Sequence, residues 1–265
     1  MDFDLIIIGA GFAGLTAGNR AAELGLIPLV LEAGSDQFYK CNSRFSTGSC
    51  HVAFNTPWTD PDDLTKTISD NLDGAARKDL AIAMGKNASR TIDWLRLQGA
   101  TFEDHPRRSD HMPMLSPLRE MKAGLDWEGG GANSLLKKLG KLLIDRGGKL
   151  HLGSRVTKLN IENGQICGVN VKTQKGSYNI SSNAVVIADG GFQANPKLVE
   201  KYIGCPITKL QQRNAGTGLG DGLRMAMTIG AEAVGLESFY GHVLSRDAIE
   251  NESLWPYPQV DLICA

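Results

Sequence analysis

The sequence predicts an α/β fold: a parallel sheet with an inserted β-meander, followed by the start of a smaller α+β capping domain. Three stretches carry this reading. Asp4–Glu32 has the form strand, glycine turn, helix, strand; Lys149–Asn183 reads as short strands joined by turn residues; Ala184–Ala188 returns as a buried strand that stops at Asp189-Gly-Gly191. With 265 residues and 42% hydrophobic content the chain can bury one large core or two modest ones. A net charge of −1 offers no footprint for nucleic acid or an anionic membrane, so neither is expected as a partner.

The first strand, Asp4-Leu-Ile-Ile-Ile8, is a continuous apolar run of the kind buried on both faces of a parallel sheet. Gly9-Ala-Gly11-Phe-Ala-Gly14 comes next, then a helix to about Leu24 rich in Ala and Gly and closed by Gly25, then Leu29-Val-Leu31 ending on Glu32. Each position has a task in binding a dinucleotide. Gly9 permits a tight turn, Gly11 lets the backbone approach a pyrophosphate, and Gly14 lets helix and strand pack closely. The helix N-terminus offers N–H groups to the anion, and Glu32 accepts from ribose hydroxyls.

The chain downstream of this unit separates the cofactors. An NAD domain continues alternating strands and helices, whereas here Lys149–Leu152, Arg155–Ile161, Ile166–Thr173 and Ser177–Ile180 read as strands, with turns at Glu162-Asn-Gly164 and Gln174-Lys-Gly176. A meander inserted before a glycine-ended parallel strand is the Rossmann-like layout of an FAD domain. Cys41, Cys50, Cys167, Cys205 and Cys264 show no CxxC spacing and read as reduced thiols, which places the chain in the cytoplasm; no metal is expected. No apolar run approaches the roughly 18 residues of a membrane span.

On Asp4–Glu32, Asn42–Gly48, Gly129–Ser134, Ala184–Phe192 and Thr217–Gly222, the chain resembles the fumarate reductase / succinate dehydrogenase flavoproteins, in their soluble branch with 3-ketosteroid Δ1-dehydrogenases and tricarballylate dehydrogenase-like proteins. The resemblance implies that Gly9, Gly11, Phe12, Ala13, Gly14, Glu32 and Ala33 hold the adenosine and pyrophosphate of FAD. It implies further that Arg155 and Val156 meet the adenine, and that Ser43, Ser46, Thr47 and Gly48 pass beside the isoalloxazine. Ala188, Asp189 and Gly190 line the ADP side, and Asp221 faces the flavin or its ribityl chain. Asp189 stands where Thr is commoner, and Leu219 interrupts the usual TGDG. Membrane-bound relatives attach FAD through a His at the position of Asn42, so the FAD here is expected to be non-covalent. His51 reads as a loop histidine and Cys50 as a buried thiol.

Two helices connect these motifs. Ala76–Gln98 presents Leu80, Met84, Ala88, Ile92 and Leu95 to the core, and Ser134–Arg146 presents Leu135, Leu136, Leu139, Leu142 and Leu143. Met84 and Trp94 read as packing, and His105, Arg107, Arg108 and His111 as a solvated loop. By the same resemblance His242 binds a substrate carboxylate. The expected domains are 1–230 for FAD and 231–265 for the start of the cap, with the main catalytic residue expected beyond Ala265, so the chain reads as a fragment. The implied reaction is desaturation, or the reverse ene reduction, of a C–C bond beside a carboxylate or ketone, by hydride transfer with flavin N5 and an unidentified electron donor or acceptor. The alternatives are a truncated FAD-binding module without turnover and an NAD-dependent dehydrogenase.

Overall fold

The computed structural model describes residues 3–72, 76–104, 112–118, 129–204 and 214–237. The described residues fall into two compact units, one holding 3–45 and 139–237, the other 46–118 and 129–138.

The first unit is built on one six-stranded sheet. In spatial order its strands are β5 (Lys149–His151), β2 (Pro28–Leu31), β1 (Phe3–Ile8), β8 (Gly176–Ile187), β7 (Gln165–Thr173) and β6 (Arg155–Glu162). The first four pair in parallel and the last three antiparallel, so β8 belongs to both halves. Its first part faces β7, ending at Gly168↔Ser181; its second part faces β1, beginning at Phe3↔Ser182. Two expectations are corrected here. Ser177–Ile180 and Ala184–Ala188 are one continuous strand, because Ser182 is fully buried and returns its hydroxyl to the Ala184 carbonyl at 2.9 Å instead of breaking the chain direction. Lys149–His151 joins the parallel sheet beside β2 and is not part of the meander, since its pairing with Leu29–Leu31 covers that edge.

The strands alternate faces. Ile6, Ile8, Leu29 and Leu31 share one apolar cluster with Val156, Leu159, Val169 and Val171 of the meander and Met225 of α7 (Asp221–Thr228). On the opposite face, α1 (Phe12–Glu23) comes close because Gly18 carries no side chain: a Cβ there would stand 3.0 Å from Val30 and 3.1 Å from Leu143. Leu143 belongs to α5 (Gly131–Asp145). The two helices are joined by fully buried Asn19, which donates to the carbonyls of Leu15 (2.9 Å) and Leu139 (2.8 Å) and accepts from Arg146 Nη1 (2.8 Å). A buried amide with both ends partnered fixes one register between helices.

In the second unit, α3 (Pro61–Asn71) starts at Asp60, whose carboxylate accepts from the Asp62 and Asp63 N–H groups, with Pro61 at the first helical position. It packs on α4 (Lys78–Leu97). The buried positions of α4 are Ala81, Gly85 and Ile92; Ile92 is as expected and Ala88 and Leu95 are half-buried, but Leu80 and Met84 are exposed, so in the first half of the helix the core face is corrected by one position, to Ala81 and Gly85. Close approach is the cause, because a Cβ on Gly85 would stand 2.5 Å from the Pro61 carbonyl oxygen. A two-stranded antiparallel sheet, β3 (Phe102–Asp104) with β4 (Pro113–Leu115), completes the unit. His105, Arg107, Arg108 and His111 lie outside the described residues.

Candidate functional site: a crevice at the strand ends

The carboxyl ends of β1, β2 and β8 converge. Gly9 N–H donates to Leu31 O at 2.8 Å, Ala188 N–H to Ile8 O at 2.9 Å, and Glu32 N–H to His151 O at 2.9 Å. In an open parallel sheet this edge is where ligands bind, and here a cavity of about 630 Å³ opens beside it. Its near wall is the glycine turn. Gly9 has φ +96° and a Cβ on it would stand 2.7 Å from Ala188 O, so only glycine lets β1 and β8 close this corner. The Glu32 carboxylate, almost fully buried, accepts from Ala10 N–H (2.9 Å) and Gly34 N–H (2.8 Å). Tyr39 Oη donates to Ala10 O at 2.7 Å, and Ser43 Oγ, on the short helix α2 (Asn42–Phe45), accepts from Phe12 N–H at 3.0 Å. The turn is therefore held before any ligand arrives.

Tyr39 is held in turn by buried Arg44. The guanidinium lies 4.7 Å from the ring centroid and Nε donates to Tyr39 O at 2.9 Å. Burial pushes the Tyr39 phenol and the Cys41 thiol above their ordinary values, so both stay protonated at neutral pH.

The far wall is residues 216–221. Asn42 Oδ1 accepts from Ala215 N–H at 2.9 Å, and Asn195, the N-cap of α6 (Pro196–Ile203), donates from Nδ2 to Leu219 O at 2.9 Å, which fixes this glycine-rich loop from two sides. Asp221 receives Arg155 Nε at 2.7 Å and also pairs with Arg224. Asp189 Oδ2 accepts from Gly222 N–H at 2.7 Å, near the start of α7, while Oδ1 is buried without a hydrogen-bond partner among the described residues. Burial raises the Asp189 carboxyl above the usual range, and the Asp221 charge adds to the shift.

The sequence matches the FAD binding domain family over residues 4–254. The chain belongs to this family. It is 26% identical over 246 residues to vinyl phenol reductase of Lactiplantibacillus plantarum, covering 88% of this chain and 47% of that protein. It is 23% identical over 255 residues to fumarate reductase (cytochrome) of Shewanella frigidimarina, covering 90% and 42%. Among solved structures, 3-ketosteroid-Δ4-(5α)-dehydrogenase of Rhodococcus jostii RHA1 superimposes with a TM-score of 0.75 at 19% identity, covering 89% of this chain and 55% of that one. A flavocytochrome c3 fumarate reductase gives 0.72 at 23%, covering 87% and 41%. The chain thus spans a little under half the length of those curated relatives.

Against the FAD family, the crevice gathers most of the residues expected from the sequence. Gly9, Gly11, Glu32, Ala33, Ser43, Arg155, Val156, Ala188, Asp189, Gly190 and Asp221 all line it. Phe12, Ala13 and Gly14 form the first turn of α1 behind that lining. Ser46, Thr47 and Gly48 belong to the second unit, and His242 lies outside the described residues. His51 closes a tight turn, accepting from Phe54 N–H at 3.2 Å and stacking on its ring; burial pushes Cys50 up to about 11. The fit to FAD is good: a glycine turn that lines the crevice, two backbone loops already tied, and a buried carboxyl oxygen without a donor among the described residues. Sequence reasoning missed Tyr39, Arg44 and the loop-pinning role of Asn42. The aromatic three positions before Asn42-Ser-Arg44 was the available signal.

Proposed function

We propose that the protein is an FAD-dependent oxidoreductase that desaturates or reduces a C–C bond next to a carboxylate or ketone. The observation that carries this reading is the pre-tied glycine turn at the ends of β1, β2 and β8, opposite the loop that leads into Asp221. The names of the relatives, vinyl phenol reductase, fumarate reductase and 3-ketosteroid dehydrogenase, support the reaction class. When bound, FAD supplies the hydride chemistry at its ring. The chain's own residues bind and orient it. The α1 N-terminus and the glycine turn would hold the pyrophosphate, Glu32 would take the ribose, and Asp221, paired with Arg155 and Arg224, would set the charge on the opposite wall. Asn42 hydrogen-bonds the far loop and offers no attachment nucleophile, so the flavin is held without a covalent bond. We take 1–230 as the FAD-binding domain and 231–265 as the start of a cap, and place His242 in substrate carboxylate binding on its position after Thr217–Gly222.

Purified protein titrated with FAD and then precipitated with acid tests the reading. The expected result is a flavin absorbance band that leaves with the supernatant. Absence of FAD binding sinks the cofactor assignment, and yellow precipitate sinks the non-covalent one. Assaying the holoenzyme against fumarate, a vinyl phenol and a 3-ketosteroid with a reduced or oxidised dye then tests the reaction class, and turnover only on substrates lacking such a C–C bond overturns it.

A further inference from the structure

We propose that Tyr39 is a positioning residue for the bound dinucleotide: its phenol holds the Ala10 carbonyl and thereby aims the Gly11 N–H at the pyrophosphate. The inference rests on the FAD reading of the crevice and goes beyond it in naming what orients the turn. Ala10 is fully buried and both of its backbone polar groups go to side chains, N–H to Glu32 and C=O to Tyr39. Peptide groups are planar and trans, so fixing one edge of a plane fixes the other. With Ala10 N–H on Glu32, the Gly9 carbonyl must point the other way; it does, lying 1.9 Å from where a Cβ on Gly14 would stand. With Ala10 C=O on Tyr39, the Gly11 N–H points away from the phenol by the same logic. The neighbouring donors are already spent, Ala10 on Glu32 and Phe12 on Ser43.

Tyr39 is suited to the task. Burial keeps its hydroxyl a donor throughout the working pH range, and Gly34 leaves room for it, since a Cβ there would stand 2.3 Å from Tyr39 Cβ. Arg44 pins the ring from its other face.

The test compares wild type and Tyr39→Phe, with ADP and adenosine as competitors against FAD. Loss of one oriented hydrogen bond predicts a rise of about tenfold in the Kd for ADP and for FAD, with adenosine, which carries no pyrophosphate, unchanged. Equal ADP affinity in the two proteins overturns the proposal, and so does an equal loss for ADP and adenosine, which marks general destabilisation. Wild-type protein labelled with 15N-glycine supplies a readout that needs no variant: the Gly11 amide proton is expected to move downfield on adding ADP and to stay in place with adenosine. An unmoved Gly11 amide in ADP-saturated protein overturns the proposal even if the variant fails to fold. Wild-type protein that binds neither ADP nor FAD refutes the cofactor reading itself, a result separable from all of these.

Discussion

Replacing Gly14 by Ala should damage stability, and replacing Gly11 by Ala should damage binding, although both belong to one glycine signature. A Cβ on Gly14 would stand 1.9 Å from the Gly9 carbonyl oxygen and 3.3 Å from Ile7 Cγ2. Carbon–oxygen contacts settle at about 3.3–3.6 Å even when attractive, so the shortfall is about 1.4 Å. It lies against backbone, which no rotamer change relieves. Overpacking of this kind costs about 3 kcal/mol, and at about 2–4 °C per kcal/mol for a domain of this size the melting temperature should fall by about 6–12 °C. Gly11 has φ −71°, and a Cβ on it would meet only the Ser43 hydroxyl, at 3.0 Å. That hydroxyl can turn aside at the loss of its one hydrogen bond from Phe12 N–H, so the stability change should be about 1 kcal/mol, well below that of Gly14→Ala. The methyl would then occupy the path of the pyrophosphate, and Gly11→Val should abolish flavin binding. Calorimetry of the ligand-free proteins and ADP titration read the two effects separately. A Gly14→Ala protein that melts with the wild type, or a Gly11→Val protein with normal flavin content, would refute the reasoning.

The same geometry sets two further outcomes. Asn19→Leu keeps the branched shape but strips three hydrogen bonds, one within α1 to Leu15 O and two that tie α1 to Leu139 of α5 and to Arg146 just after it, which should lower stability by about 3 kcal/mol, seen as a lower urea midpoint at unchanged slope; an unchanged midpoint would show that the bridge is dispensable. Asp189 has a raised carboxyl in the folded state, so the native chain holds that proton more tightly than the unfolded chain, whose aspartates titrate near about 3.9. Its contribution therefore falls as pH rises from there through the folded value and is constant above. Asp189→Asn keeps an acceptor for Gly222 N–H and removes the buried charge, so its melting temperature should gain on the wild type as pH rises from 4 to 7. A gap of equal size at both ends would exclude a folded-state shift.

Much of this was legible in the sequence because it is local. A β-strand running into Gly9-Ala-Gly11-Phe-Ala-Gly14 and a helix, with Glu32 at the end of the next strand, is a short-range pattern with few foldings open to it. The face of α4 was not legible from periodicity, which registers large apolar residues such as Leu80 and Met84, whereas the α3–α4 contact is made through Ala81 and Gly85, where the absence of a side chain is the packing element. Tyr39, Arg44 and Asn42 were hidden for another reason. The partners of Tyr39 and Asn42 are the Ala10 carbonyl and the Ala215 N–H, 29 and 173 positions away, and no local pattern reports a hydrogen bond to a backbone atom that the fold brings from so far. Arg44 reaches only five positions back, but to the Tyr39 backbone oxygen, a partner that residue type and periodicity do not mark.

The continuity of β8 ties the folding of the meander to that of the parallel sheet. Had the two been separate strands joined by a loop, the meander could open as an independent unit and the β1–β2 layer persist without it. With Ser181 paired to Gly168 and Ser182 to Phe3 on one uninterrupted backbone, fraying on either side strips partners from the other, and amide exchange should report one protected block from β7 through β1. The same continuity makes the chain intolerant of length change between Ser181 and Ile187. One residue added there would turn every later side chain of the strand to the opposite face and carry Asp189 away from Gly222, whereas residues added at Glu162–Gln165 or Thr173–Gly176 would only lengthen a turn. Natural length variation in proteins built this way should therefore collect at the tips of the meander and be absent from the strand that leaves it.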